Sequence, residues 1–94
     1  MKESWLGLAV IEHRNIVCAI SNENSVYIWD FITNFCIMNF SIPHSIMKEP
    51  SMASALYTVD DWIIIGFVDG STLVSGLSFD PASMQFSWNP IKMI

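Results

Sequence analysis

The sequence of 94 residues predicts an all-β fold of two four-stranded antiparallel sheets, on three observations. Eight short runs, apolar or alternating, recur along it, each ended by polar residues, Gly or Pro, as short strands and turns are. No stretch of about 11 residues or more keeps an i, i+3, i+4 apolar stripe between plausible caps, so no amphipathic helix is expected. The first half also matches the second at an offset of 46 residues, laying Glu23 over Asp69.

The strands follow in order. Residues 5–11 are apolar, and the polar run 12–15 ends them. Residues 16–20 are apolar and β-branched, and 21–24, Ser-Asn-Glu-Asn, read as a turn. Residues 25–29 alternate, with Val26 and Ile28 on one face and Ser25, Tyr27 and Trp29 on the other. A polar break at 30–34 precedes a fourth strand at 35–40. The second half repeats the plan with strands at 52–59, 62–67, 71–77 and 84–88. Asp69-Gly70 is a hairpin signal, because glycine takes the positive φ that such turns require. Residues 41–51, with Pro43 and Pro50, form the longest loop and the natural boundary, giving units 1–40 and 41–94.

Composition narrows the function classes. Hydrophobic residues make up 52% of the chain and charged residues 14%, which is apolar for so small a domain. Part of this surface is expected to meet another protein or another part of a larger assembly; the alternative is a well-filled core. The net charge is −5, and the four basic residues, Lys2, Arg14, Lys48 and Lys92, are scattered. Nucleic-acid binding needs a clustered basic patch, so none is expected. The longest apolar runs fall far below the ~20 residues of a membrane span. The N-terminus makes a poor signal peptide, and Cys18 and Cys36 make no disulfide framework, which points to an intracellular, cytoplasmic or nuclear setting.

The repeat carries a resemblance. Val17-Cys18-Ala19-Ile20-Ser21-Asn22-Glu23-Asn24-Ser25 lies over Ile63-Ile64-Ile65-Gly66-Phe67-Val68-Asp69-Gly70-Ser71. Residues 21–34 hold a turn acid, a serine two positions on, an alternating strand, the pair Trp29-Asp30 and a threonine-bearing turn, in that order. This resembles the end of a WD repeat, whose ~40–45-residue period is close to the offset. The second half diverges, with Ser75-Gly76 where the Trp-Asp pair would stand. Pro43-His44 sits where WD repeats often begin with Gly-His, 25 residues before Asp69. The resemblance implies two four-stranded antiparallel blades of a WD-repeat-like β-propeller, an incomplete ring, since propellers have ~4–8 blades. It also implies that the chain begins near the start of one blade and stops just after the outer strand of another.

In WD repeats a histidine, an acid, a serine or threonine and a tryptophan form a hydrogen-bonded set. The resemblance therefore assigns structural roles to Glu23, Ser25, Trp29, Asp30, His44, Asp69 and Ser71. As an inward tryptophan, Trp29 would cost roughly 3–5 kcal/mol on truncation to alanine. No catalytic residue, metal ligand or cofactor is assigned. Cys18 and Cys36, on strands two and four, are expected to be packed free thiols, and Asp60-Asp61 a solvated turn. Tyr27, Phe31, Trp62 and Trp88 are expected to pack between blades.

The expected function is a non-catalytic protein-protein interaction scaffold, with other proteins or further blades as partners and no stable lone monomer. In this family the loop between blades and the turn between strands two and three share a rim. That makes Asn24, Lys48 and Glu49 the candidate partner contacts. The competing expectation is a small self-contained β-barrel or sandwich that binds a ligand.

Overall fold

The computed structural model describes residues 4–43 and 52–94. Among the described residues there are eight strands: β1 (Trp5–Ile11), β2 (Ile16–Ser21), β3 (Ser25–Asp30), β4 (Phe35–Ser41), β5 (Ala53–Val59), β6 (Trp62–Phe67), β7 (Thr72–Asp80) and β8 (Gln85–Met93). They form two antiparallel meanders, ordered β1-β2-β3-β4 and β5-β6-β7-β8. A short 3-10 turn at Glu12–Arg14 links β1 to β2. The last two strands run longer than the alternation predicted. Pro90 ends the readable pattern, but it sits beside a bulge on the edge strand β8, where a missing N–H breaks no ladder.

The two sheets repeat each other down to their irregularities. The first strand of each is bulged at the same place, between Trp5 and Gly7 and between Ala53 and Ala55. The third-to-fourth pairing shifts after Ile28 in one and after Val74 in the other, at the 46-residue offset. Asn24 and Gly70, also 46 apart, both take positive φ in the turn before the third strand. Bulges arise from one extra residue at a defined position, so matching bulges mark one structural unit used twice.

Opposite faces of this unit form the interface. In the first sheet Ile16, Cys18 and Ile20 of β2 are buried. Their counterparts at the offset, Trp62, Ile64 and Gly66, face away from the core, and Ile63, Ile65 and Phe67 are buried instead. One sheet thus presents its front and the other its back, as successive blades of a propeller do. A sandwich of equivalent halves would use the same row twice, and a barrel would join the sheets into one.

One core joins both sheets, including Ile20, Val26 and Ile28 from one and Leu56, Ile65 and Leu73 from the other. The sheets come closest at β1 and β5. There a Cβ on Gly7 would lie 3.2 Å from the Leu56 Cβ, and the Thr58 hydroxyl donates to the Val10 carbonyl at 2.9 Å. At the opposite edge the fill is aromatic, with the Phe40 and Trp88 rings 4.3 Å apart. Small residues at the inner strands and large ones at the outer strands make the wedge of two adjacent blades. The ring is not closed.

Candidate interaction surfaces

Each blade has one face in the shared core and one face turned outward. The outward face of the first blade follows from the rows that pair Leu8 with Ala19 and Tyr27, and Val10 with Val17 and Trp29. Tyr27 and Trp29 are two apart on β3, and their rings stack at 5.6 Å and 12°. Trp5 meets both edge-on, at 5.0 Å from Tyr27 and 5.6 Å from Trp29. Around this aromatic ridge Leu8 is 66% exposed and Val10 48%. The outward face of the second blade holds Tyr57, Val59, Trp62, Ile64, Val74 and two glycines, Gly66 and Gly76. Tyr57 and Val59 are more than half exposed.

Trp29 is only half-buried, so the cost expected for an inward tryptophan does not apply to it. Asp30 does not reach into a blade. Its Oδ1 accepts the backbone N–H groups of Ile32 and Thr33, at 2.8 and 3.2 Å, closing its own turn. Glu23 is exposed, and its N–H and that of Ser25 both donate to the buried Ser21 hydroxyl. In the second blade Asp69 Oδ1 accepts from both the N–H and the hydroxyl of Ser71, at 2.9 and 2.6 Å. Those bonds hold its carboxyl below the usual carboxylate range. The two turns are therefore tied by different atoms. His44, Lys48 and Glu49 lie outside the described residues.

Sequence reasoning missed a tryptophan-serine pair that does exist. The Trp88 indole Nε1 donates to Ser75 Oγ at 2.8 Å, and that hydroxyl donates to the Ile63 carbonyl at 2.7 Å. Ser75 is fully buried. The signal was available, because Ser75 occupies a core position in the alternation of β7, where a buried hydroxyl needs partners.

Asn24 sits on the rim, and its side-chain oxygen accepts the Ala53 N–H at 2.8 Å, tying the first blade's turn to the start of β5. The Ile42 N–H donates to the Asn24 carbonyl and the Val68 N–H to the Met52 carbonyl. The described ends of the inter-blade link thus lie against turns 22–24 and 68–70, on one rim. At the other rim Asp61 is more than a solvated turn. It binds Arg14 through both carboxylate oxygens, at 3.2 and 3.1 Å, and His13 Nε2 at 2.9 Å. The Arg14 hydrogen bond is the main reason its carboxyl stays below the usual range, and Asp61 in turn raises Arg14. Next to this bridge a cleft of about 470 Å³ opens between the blades, lined by Arg14, Phe35, Phe79 and Phe86 among others.

Both cysteines are free, but only Cys18 is packed; Cys36 is exposed on the edge strand β4. Burial pushes the Cys18 thiol up to about 12, which keeps it protonated. Phe31 and Trp62 also differ from expectation. Both are 42% exposed rather than packed between the two blades, whereas Trp88 does pack there. Among the described residues no group of three or more His, Cys, Asp or Glu could hold a metal ion, and no helix is long and apolar enough to cross a membrane.

No family model matches the chain, and no curated protein matches it. Among solved structures it is similar to a propeller protein described as "KlHsv2 with loop 6CD replaced by a Gly-Ser linker", with a TM-score of 0.78 and 9% sequence identity. The match covers 99% of this chain and 31% of that chain, so this chain spans about a third of its length. A likeness at this identity shows the fold alone, two neighbouring propeller-like blades.

Proposed function

We propose that the chain is a non-catalytic protein-protein interaction module, a two-blade propeller segment or subunit that works within a larger assembly. The observation that carries this reading is the pair of outward blade faces. Their first three strands expose Leu8, Val10, Tyr57, Val59 and Trp62, and in a closed propeller such faces are covered on both sides. Contiguous exposed apolar patches of this kind often mark protein-protein contact sites. The distant likeness to a propeller protein supports the fold on which this reading rests. Four scattered cations in an acidic chain favour protein partners over nucleic acid. An intracellular setting fits two free thiols.

The test compares the wild-type chain with Trp29→Asp and Trp62→Lys, one on each outward face. The wild type is expected to associate or to bind an apolar dye. Each variant is expected to reduce both while keeping the far-ultraviolet β signature, because neither side chain belongs to the shared core. A monodisperse wild-type monomer that binds no dye would overturn the reading.

A further inference from the structure

We propose that the cleft between the two blades docks a peptide segment of another protein that sets a bulky apolar side chain beside an arginine or lysine. The proposal takes its class of partner from the interaction reading above but uses a different surface, so the two can fail separately.

The first ground is how the cleft is made. β7 and β8 overrun the rest of their sheet, and residues 78–80 and 85–87 pair only with each other. The first blade has no such overhang, because β3 ends at Asp30, which is still paired with Ile16 of β2. The projecting hairpin carries Phe79 and Phe86, register partners with rings 4.8 Å apart. The other wall is the end of a row in the first blade that runs Ile11, Ile16, Asp30, Phe35. Ile11 and Ile16 are buried, yet Phe35 at the outer end is 72% exposed. Further along the same outer strands the wedge is filled by Phe40 and Trp88. At this rim it is open, and its volume of about 470 Å³ lies within the ~300–1,000 Å³ of ligand pockets. The walls belong to the facing sides of the two blades. A further blade would pack on an outward face and leave this cleft open.

The second ground is charge, which selects the occupant. This rim carries Glu12, Asp30, Asp60, Asp61 and Asp80, against one guanidinium, Arg14. Lys92 lies toward the other end of β8, paired with Val74. Two hydrogen bonds hold Arg14 to Asp61, so its charge is already met. Among the described residues no cation pairs with Glu12, Asp30, Asp60 or Asp80. Asp30 lines the cleft itself. Its Oδ1 accepts two backbone N–H groups of its own turn, and its Oδ2 has no partner among the described residues. Asp30 and Phe35 stand opposite each other on neighbouring strands, where Cβ atoms are ~4.5–5.5 Å apart. A guanidinium or ammonium on the exposed Phe35 ring therefore lies within reach of a carboxylate oxygen. The aromatic face attracts a cation in its own right. The apolar neighbour of that cation packs on Phe79 and Phe86. An acidic peptide would meet the carboxylates of this rim as a like charge.

An array of capped hexapeptides of random sequence, probed with the intact chain, tests the proposal. The bound peptides are expected to be enriched in Arg or Lys next to Leu, Met, Phe or Trp. Their binding is expected to weaken in about 1 M salt, where the screening length is ~3 Å. Asp30→Asn keeps the turn acceptor and removes the charge, and Phe35→Ser removes an exposed ring. Each is expected to weaken a selected peptide by about fivefold or more, with the far-ultraviolet β signature retained. Should Asp30→Asn fail to fold, Phe35→Ser and the salt dependence of the wild type carry the test. A bound set that is acidic or purely apolar, or binding that either folded variant leaves unchanged, overturns the proposal. So does an array with no bound peptide. Binding that Trp29→Asp abolishes and Phe35→Ser spares overturns the cleft and leaves the interaction reading standing.

Discussion

Ser75 and Trp88 show how one polar pair can be kept inside an apolar wedge. The serine hydroxyl accepts a hydrogen bond from the indole N–H and donates one to the Ile63 carbonyl. Every buried polar group in this chain of contacts has a partner, which is the condition for keeping it. Ser75→Ala is expected to cost about 1–3 kcal/mol, because it leaves the indole N–H unpaired. Trp88→Phe is expected to cost about 1 kcal/mol, because the ring still packs on Phe40 and the hydroxyl still donates. The double variant is expected to cost less than the sum, since no orphan donor remains, and urea unfolding of the four proteins would measure that coupling. Additive costs would mean the two side chains do not meet. Trp29 makes the opposite point, because its strand was readable and its burial was not. Alternation put it on a face, but no local pattern says which face meets the other blade.

Among the elements, β1 and β5 carry the tightest constraint. Gly7 is needed for close approach and not for turn geometry, since a side chain there would run into Leu56 on the facing strand. Gly7→Val is expected to destabilise by roughly 1–3 kcal/mol, the range for overpacking a filled interior. The denaturation midpoint would show this, and no change would mean that the blades can part at their inner strands. The turn before each third strand solves one backbone problem in two ways. Asn24 and Gly70 both take positive φ, and Asn24 also uses its side chain to hold the Ala53 N–H. Asn-containing and Gly-containing turns are legible in sequence, because both residues tolerate that region of backbone space. The bond to Ala53 spans 29 residues and was not legible.

The whole molecule is held by one core and by a charged bridge at one rim. Asp61 in the β5–β6 turn meets Arg14 and His13 from the β1–β2 link, so the bridge joins the two blades. Arg14 holds the Asp61 carboxyl below its ordinary value, first by hydrogen bonding and then by charge. A depressed carboxyl stabilises the folded state above its unfolded value of ~4, and that stabilisation is lost as pH falls through the lower folded value. The pair is about a third exposed, so solvent screening limits the effect to roughly 0.2–1 kcal/mol. Asp61→Asn is expected to lower the urea midpoint at pH 7 and to match the wild type once the pH has fallen below the carboxyl's lowered folded value. A difference that persists in acid would show that the side chain acts through packing instead of charge.

From sequence alone came the eight strands, the turns between them and the twofold repeat. These rest on local physics: side-chain alternation, β-branched runs and residues that accept positive φ. The sequence also carried the apolar excess that the outward faces now hold. Tertiary structure decided which row of each strand is buried. Ile20 goes inward while its counterpart Gly66 goes outward, because a propeller step shows the front of one blade to the back of the next. It likewise decided that Asp61 is a bridge, that Cys36 is exposed and that Trp88, not Trp29, finds the buried serine. Each of those depends on a contact between segments far apart in the chain, and a local pattern holds no record of what lies across the gap.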